Sequence, residues 1–113
     1  MYELLLTANF ESKLRLAETR LKFIVCLEKH FNVKKYTSYT FDLIENEMTE
    51  FTIIVILGES HAILHTYPEK GTVYINLCSC KSTSEGINLS FIGEEICKEL
   101  KLKIVDSRLV PRG

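Results

Sequence analysis

Apolar residues along the chain recur with two different periods, and each change of period marks an element. Tyr2 to Phe10 carries Leu4, Leu5, Leu6 and Phe10 with few breakers, which suits a strand. From about Ser12 to Phe31 the positions Leu14, Ala17, Leu21, Ile24 and Val25 recur at helical spacing with Lys13, Glu18, Lys22 and Lys29 between them, which predicts a helix. Val33 to Ile44 is rich in Tyr, Thr and Val; the polar Glu45-Asn46-Glu47 then separates it from Phe51 to Leu57, and the two read as a hairpin. The second of these runs is almost continuously apolar and β-branched, so a central strand covered on both faces is expected, ending at Gly58. Ser60 to Tyr67 and Thr72 to Cys80 read as antiparallel strands joined through the tight turn Pro68-Glu69-Lys70-Gly71. A loop at Ser82 to Gly86, a helix over Ser90 to Leu102 built on Ile92, Ile96, Cys97 and Leu100, and a short strand near Lys103 to Asp106 complete the order.

Two helices and five or six strands predict an α+β fold, a two-layer α/β sandwich in which a largely antiparallel sheet carries both helices on one face. The chain offers no third layer, so a second copy stacked sheet against sheet, a symmetric homodimer, is expected to cover the other face. The length of 113 residues bounds this to one domain, taken as residues 1–107. Leu109-Val110-Pro111-Arg112-Gly113 looks like a thrombin recognition sequence, so residues 108–113 read as a remnant of recombinant expression and are set aside from the fold.

Composition then narrows the function. With 14 basic and 15 acidic residues scattered along the chain, no cationic stripe exists to hold a phosphate backbone, and nucleic acid is not an expected partner. No apolar run approaches the roughly 20 residues of a membrane span, and the start has no basic region before Leu4-Leu5-Leu6. A soluble, cytoplasmic protein with reduced thiols at Cys26, Cys78, Cys80 and Cys97 is expected. Cys78 and Cys80 form a C-x-C that lacks the second pair of ligands of a structural zinc site, so no metal is assigned.

The informative stretch is Gly58-Glu59-Ser60-His61-Ala62-Ile63-Leu64-His65-Thr66-Tyr67-Pro68-Glu69, followed by Cys78-Ser79-Cys80. It resembles the prokaryotic S-adenosylmethionine decarboxylases, pyruvoyl enzymes of spermidine synthesis whose signature reads close to E-S-H-x-x-x-H-T-W-P-E with a T-C-G twenty residues beyond the serine. Ser60, His65 and Cys80 fall at the matching spacings. The resemblance implies self-cleavage between Glu59 and Ser60: the Ser60 hydroxyl attacks the preceding carbonyl, Thr52 hydrogen-bonds the developing oxyanion, and His65 moves protons as the ester is eliminated. The cofactor it implies is a pyruvoyl group derived from Ser60, which condenses with the amine of a small amino-acid substrate and accepts the electrons released with carbon dioxide. By the same resemblance Cys80 returns a proton to the substrate, and Glu69 binds its ribose hydroxyls.

Strand parity sets a condition on this scheme. His61, His65 and Tyr67 share one strand face and Ser60 has the opposite parity, so Ser60 is expected outside the regular strand, just after Gly58 where the backbone can turn sharply. The signature also departs from the family pattern near the substrate. W-P-E appears as Tyr67-Pro68-Glu69, T-C-G as Ser79-Cys80-Lys81, and Ile44 stands where the family places an aromatic against adenine. Relatives that keep the cofactor but act on L-arginine or L-ornithine are therefore the alternative reading. A second alternative is an unprocessed homologue acting as a binding or regulatory subunit. His61 and Cys78 read as structural, and Glu69 reads equally as a solvated turn residue.

Overall fold

Alternating and β-branched residues in the middle of the chain build a single antiparallel sheet. The computed structural model describes residues 1–31, 37–42, 50–58, 60–80 and 88–112. Its elements run β1 (Tyr2–Phe10), α1 (Leu16–His30), β2 (Thr37–Asp42), β3 (Phe51–Leu57), β4 (Ser60–Tyr67), β5 (Thr72–Ser79), α2 (Leu89–Glu99) and β6 (Leu102–Pro111). The strands lie in the order β2-β3-β4-β5-β1-β6, and every neighbouring pair is antiparallel. Both helices cover one face, giving the expected α+β two-layer sandwich.

The covered face is dry. Leu4, Leu6, Ile53, Val55, Leu64, Val73, Ile75 and Leu77 project from the strands onto Phe23 and Leu27 of α1 and Ile92 and Ile96 of α2, all of them buried. Burying each larger side chain stabilises the fold by about 1.5–3 kcal/mol. Helix α2 lies so close to β1 that a Cβ on Gly93 would sit 2.6 Å from Leu4 Cδ2, so glycine permits the approach. Asn88 caps this helix, its side chain accepting from the Phe91 N–H at 3.1 Å. The two helices are tied by Glu95, which takes His30 Nε2 at 2.6 Å and Lys29 Nζ at 3.2 Å. The His30 hydrogen bond is the largest of the influences that hold the Glu95 carboxyl below its ordinary pKa.

Four expectations change. Helix α1 begins at Leu16 rather than Ser12, and it buries Leu16, Thr19, Phe23, Cys26 and Leu27 instead of the stripe through Leu21 and Val25. Leu21 is 65% exposed and Val25 43% exposed. The helix carries apolar residues on two opposite sides, and the side holding Phe23 fills the core. Helix α2 ends at Glu99, because Lys101 takes a left-handed φ of 57° and turns the chain into β6.

Strand β3 is buried on one face only, with Ile56 40% exposed on the other, since among the described residues no element covers that side. Strand β6 continues past Asp106 through Leu109, Val110 and Pro111, which lie opposite Leu4, Glu3 and Tyr2 of β1. The segment set aside above is thus part of the sheet. The predicted strand from Val33 is described only over β2; Ile44, Glu59 and the Ser82 to Gly86 loop lie outside the described residues. Among the described residues no helix is long and apolar enough to cross a membrane.

Candidate active site

Strand β4 sorts the predicted residues onto two faces. Ser60, Ala62, Leu64 and Thr66 point toward the helices, while His61, Ile63, His65 and Tyr67 line the open face. Gly58 supplies the turn between β3 and β4 at φ 68°, and pairing resumes at once, with Ser60 opposite Leu57. Ser60 is therefore the first residue of the regular strand, not a residue outside it, and it is 5% exposed.

Because β4 and β5 are antiparallel with His61 opposite Cys78, the head of β4 meets the end of β5. That register, set by the Pro68–Lys70 turn and Gly71 at φ 62°, carries position 80 back to position 60. The Cys80 backbone N–H donates to Ser60 Oγ at 3.3 Å, and Cys80 Sγ lies 3.8 Å from the same oxygen. Cys80 itself is exposed.

Thr52 and His65 form a second pair. They sit opposite each other across β3 and β4 on the open face, with Thr52 Oγ1 2.7 Å from His65 Nδ1. This contact fixes the plane of the imidazole and ties its tautomer to the direction of the hydroxyl proton. Burial lowers the His65 pKa from its ordinary 6.5, which keeps the ring neutral at pH 7. Five residues of strand, about 16 Å, separate Ser60 from His65, and the two point to opposite faces. Within one chain the predicted residues form two pairs, not one cluster.

Around His65 the open face is aromatic and polar. The Tyr67 ring lies 5.0 Å from Tyr74 and 6.3 Å from His65, with Lys70 Nζ 5.8 Å above it. Glu69 is exposed on the adjoining turn, two residues from Tyr67. A shallow cavity of about 310 Å³ opens beside His65, walled by Tyr74, Asn76, Thr7, Asp106 and Arg108. At its floor Asn76 donates to Glu3 Oε1 at 2.9 Å while its own Oδ1 is buried without a partner among the described residues. Cys78, on the same face, has its thiol pKa pushed up by burial first and by Glu3 second.

Tyr74 and Arg108 were not anticipated. Alternation along β5 places Tyr74 beside Asn76 and could have flagged it; nothing local marks Arg108, which lies in the segment set aside from the fold. Among the described residues no group of three His, Cys, Asp or Glu is placed to hold a metal ion, and the four cysteines are unbonded. Glu59 and Ile44 lie outside the described residues.

Comparison with known proteins now bears on this arrangement. The sequence pattern of the S-adenosylmethionine decarboxylase family matches residues 11–113. A curated S-adenosylmethionine decarboxylase proenzyme from a Sulfurihydrogenibium species is 29% identical over 85 residues, covering 75% of this chain. The aligned region spans 59% of that relative's length. Among solved structures, the crystal structure of the adenosylmethionine decarboxylase from Aquifex aeolicus superposes with a TM-score of 0.74 at 20% identity. That match covers 100% of this chain and 91% of the other, a likeness of fold.

Proposed function

This chain belongs to the S-adenosylmethionine decarboxylase family, and from that premise we propose that it cleaves itself between Glu59 and Ser60 and acts as a pyruvoyl-dependent decarboxylase of S-adenosylmethionine, serving spermidine synthesis. The observation that carries the reading is the Ser60 hydroxyl, buried at the head of β4 and held at 3.3 Å by the Cys80 N–H. A serine there fits the origin of a pyruvoyl group. Its oxygen is shielded from water and already oriented, and the thiol assigned to proton return lies 3.8 Å away. When formed, the group supplies a conjugated carbonyl that accepts electrons as carbon dioxide leaves.

The roles that the resemblance implies are compatible with the residues' surroundings. Ser60 Oγ is the nucleophile toward the Glu59 carbonyl. His65, neutral through burial, has a ring nitrogen available to take or pass a proton, and Thr52 steadies it or bonds the developing oxyanion. Cys80 returns a proton to the substrate. Glu69 and the Tyr67–Tyr74 surface favour a substrate with a ribose and an aromatic base over arginine or ornithine.

The exposed face of the sheet favours a homodimer. A two-fold axis crossing β4 at right angles near Ile63 would lay the strand antiparallel on its copy. The head of β4 of one chain would then lie over the region of His65 of the other, with sheets about 10 Å apart and each Ser60 side chain on the covered side of its own sheet. The exposed Leu5, Ile56 and Tyr74 on that face are the surface such a copy would cover.

Intact mass of purified protein tests self-cleavage. Two fragments divided at Glu59/Ser60, the second lacking a free amino terminus, are expected; a single persistent full-length species would favour a binding subunit. Release of labelled carbon dioxide from S-adenosylmethionine, L-arginine and L-ornithine in parallel identifies the substrate, with S-adenosylmethionine expected to be turned over fastest.

A further inference from the structure

We propose that the backbone N–H of Cys80 is an oxyanion donor for self-cleavage, a role independent of the Cys80 thiol. The inference rests on the self-cleavage reading above and assigns it a further group. Strand β5 ends at Ser79, so the Cys80 amide lies one residue beyond the ladder, and it turns to Ser60 Oγ at 3.3 Å. That distance is on the long side for an N–H···O hydrogen bond, and it joins a neutral donor to a neutral hydroxyl. Such a bond is weak in the resting protein. It strengthens when the oxygen acquires charge, because charge-assisted hydrogen bonds are shorter and roughly twice as strong.

Ser60 Oγ acquires charge in the second of two steps. In the acyl shift the Oγ–C bond to residue 59 forms, the peptide C–N bond breaks, and the hydroxyl proton passes to the released amine. In the elimination a base removes the Ser60 α-proton, the Cβ–Oγ bond breaks, and Oγ leaves as part of the new carboxylate on residue 59. Tautomerisation and addition of water with loss of ammonia then complete the ketone. A donor fixed on Oγ stabilises the transition state of elimination, where charge grows on the departing oxygen, more than the neutral ester before it, which is the condition for accelerating that step. Burial of Ser60 at 5% exposure keeps water from replacing the donor. Thr52 and His65 are about 16 Å along the strand from this oxygen in the same chain. The Cys80 amide, by contrast, travels with Ser60 in every copy, assembled or not.

The thiol and the amide are separable by substitution. Cys80→Ala removes Sγ and keeps the N–H. Placing lactic acid at position 80, by suppression with the α-hydroxy analogue of alanine, keeps the alanine side chain and exchanges the N–H for an ester oxygen. Cleavage at Glu59/Ser60 is followed by intact mass without added nucleophile, so that elimination is read, and a hydroxylamine-treated aliquot reports the ester intermediate. Relative to Cys80→Ala, with which it shares a side chain, the lactate protein should cleave about tenfold or more slowly, since loss of one oxyanion donor typically costs about 10²–10³. A structural role would lower the unfolding temperature instead, so thermal unfolding of both is measured alongside.

A second measurement stands if the ester protein does not fold. Hydrogen exchange of the Cys80 amide in unprocessed protein should speed up in Ser60→Ala and stay slow in Ser60→Thr, which keeps a hydroxyl. Equal cleavage by the alanine and lactate proteins, or exchange at Cys80 indifferent to Ser60, overturns the inference and leaves self-cleavage intact. Loss of cleavage in Cys80→Ala while wild type cleaves also overturns it, by assigning the step to the thiol. Wild type that never cleaves overturns the self-cleavage reading, and this inference with it.

Discussion

The two faces of the sheet are built from the same strands and do opposite things. Along β3 the residues Phe51, Ile53, Val55 and Leu57 are sealed under the helices, while Thr52, Ile54 and Ile56 between them face outward and retain exposure. The covered face is apolar almost throughout, and its side chains have no chemistry to offer. The open face mixes Ile and Leu with His65, Tyr67, Tyr74 and Asn76, and among the described residues it leaves the buried Asn76 Oδ1 without a donor. Stability and reactivity are thus separated by a single strand parity. Ser60 is the exception, a hydroxyl on the covered side, held where water is excluded.

Substitutions can break or sharpen this contrast, and the largest effect is expected at its exception. Ser60→Ala should abolish cleavage altogether while leaving the fold intact, read by intact mass; cleavage at the same bond in that variant would remove Ser60 from the chemistry. His65→Ala should slow cleavage about 10²–10⁴-fold, the usual worth of a positioned acid or base. Co-expressing it with Ser60→Ala should restore cleavage in part of the His65→Ala chains if the two pairs meet across copies. No restoration in the mixture would argue for chemistry within one chain.

The next contrast compares neighbouring positions on β3. Ile53→Ala, on the covered face, should cost about 2–5 kcal/mol in urea unfolding. Ile56→Ala, at 40% exposure, should cost about 1 kcal/mol or less in the single chain. A larger loss at Ile56 that grows with dilution would mark this face as buried in a dimer.

The smallest effect is one of pH. Burial depresses the His65 pKa, so as pH falls through 6.5 the unfolded chain takes up a proton that the folded ring refuses. The contribution of His65 to stability is complete above that pH, falls below it, and levels off once the folded ring's own lower pKa is passed. His65→Gln should remove this part of the decline between pH 7.5 and 5.5, measured as the difference in urea midpoint from wild type. An identical decline in the variant would show that burial does not perturb this ring.

Much of the architecture was legible because local pattern reports local structure. Alternation in β4 and β5, the Pro68 to Gly71 turn and the stripe of α2 were all read in place, since each depends on neighbours within a few residues. Helix α1 was not, because Leu21 and Phe23 both lie on periodic apolar stripes and the period does not say which one faces the sheet. The reach of β6 was missed for a different reason. Leu109 to Pro111 resembles a processing remnant, and only its pairing with Tyr2 to Leu4 makes it a strand.

For the site, the spacing of Glu59, Ser60, His65 and Cys80 was readable as a motif before any fold was known, because the chemistry constrains residue types at set offsets. By itself the sequence thus named the candidate groups and the elements that carry them. The tertiary structure decided where those groups stand: Cys80 returns to Ser60 through a strand register, and Thr52 joins His65 on the opposite face, about 16 Å along the strand. The reason is physical. Periodicity is set by a residue's nearest neighbours along the chain, whereas the choice of face and the distance between two side chains depend on packing among residues far apart in sequence.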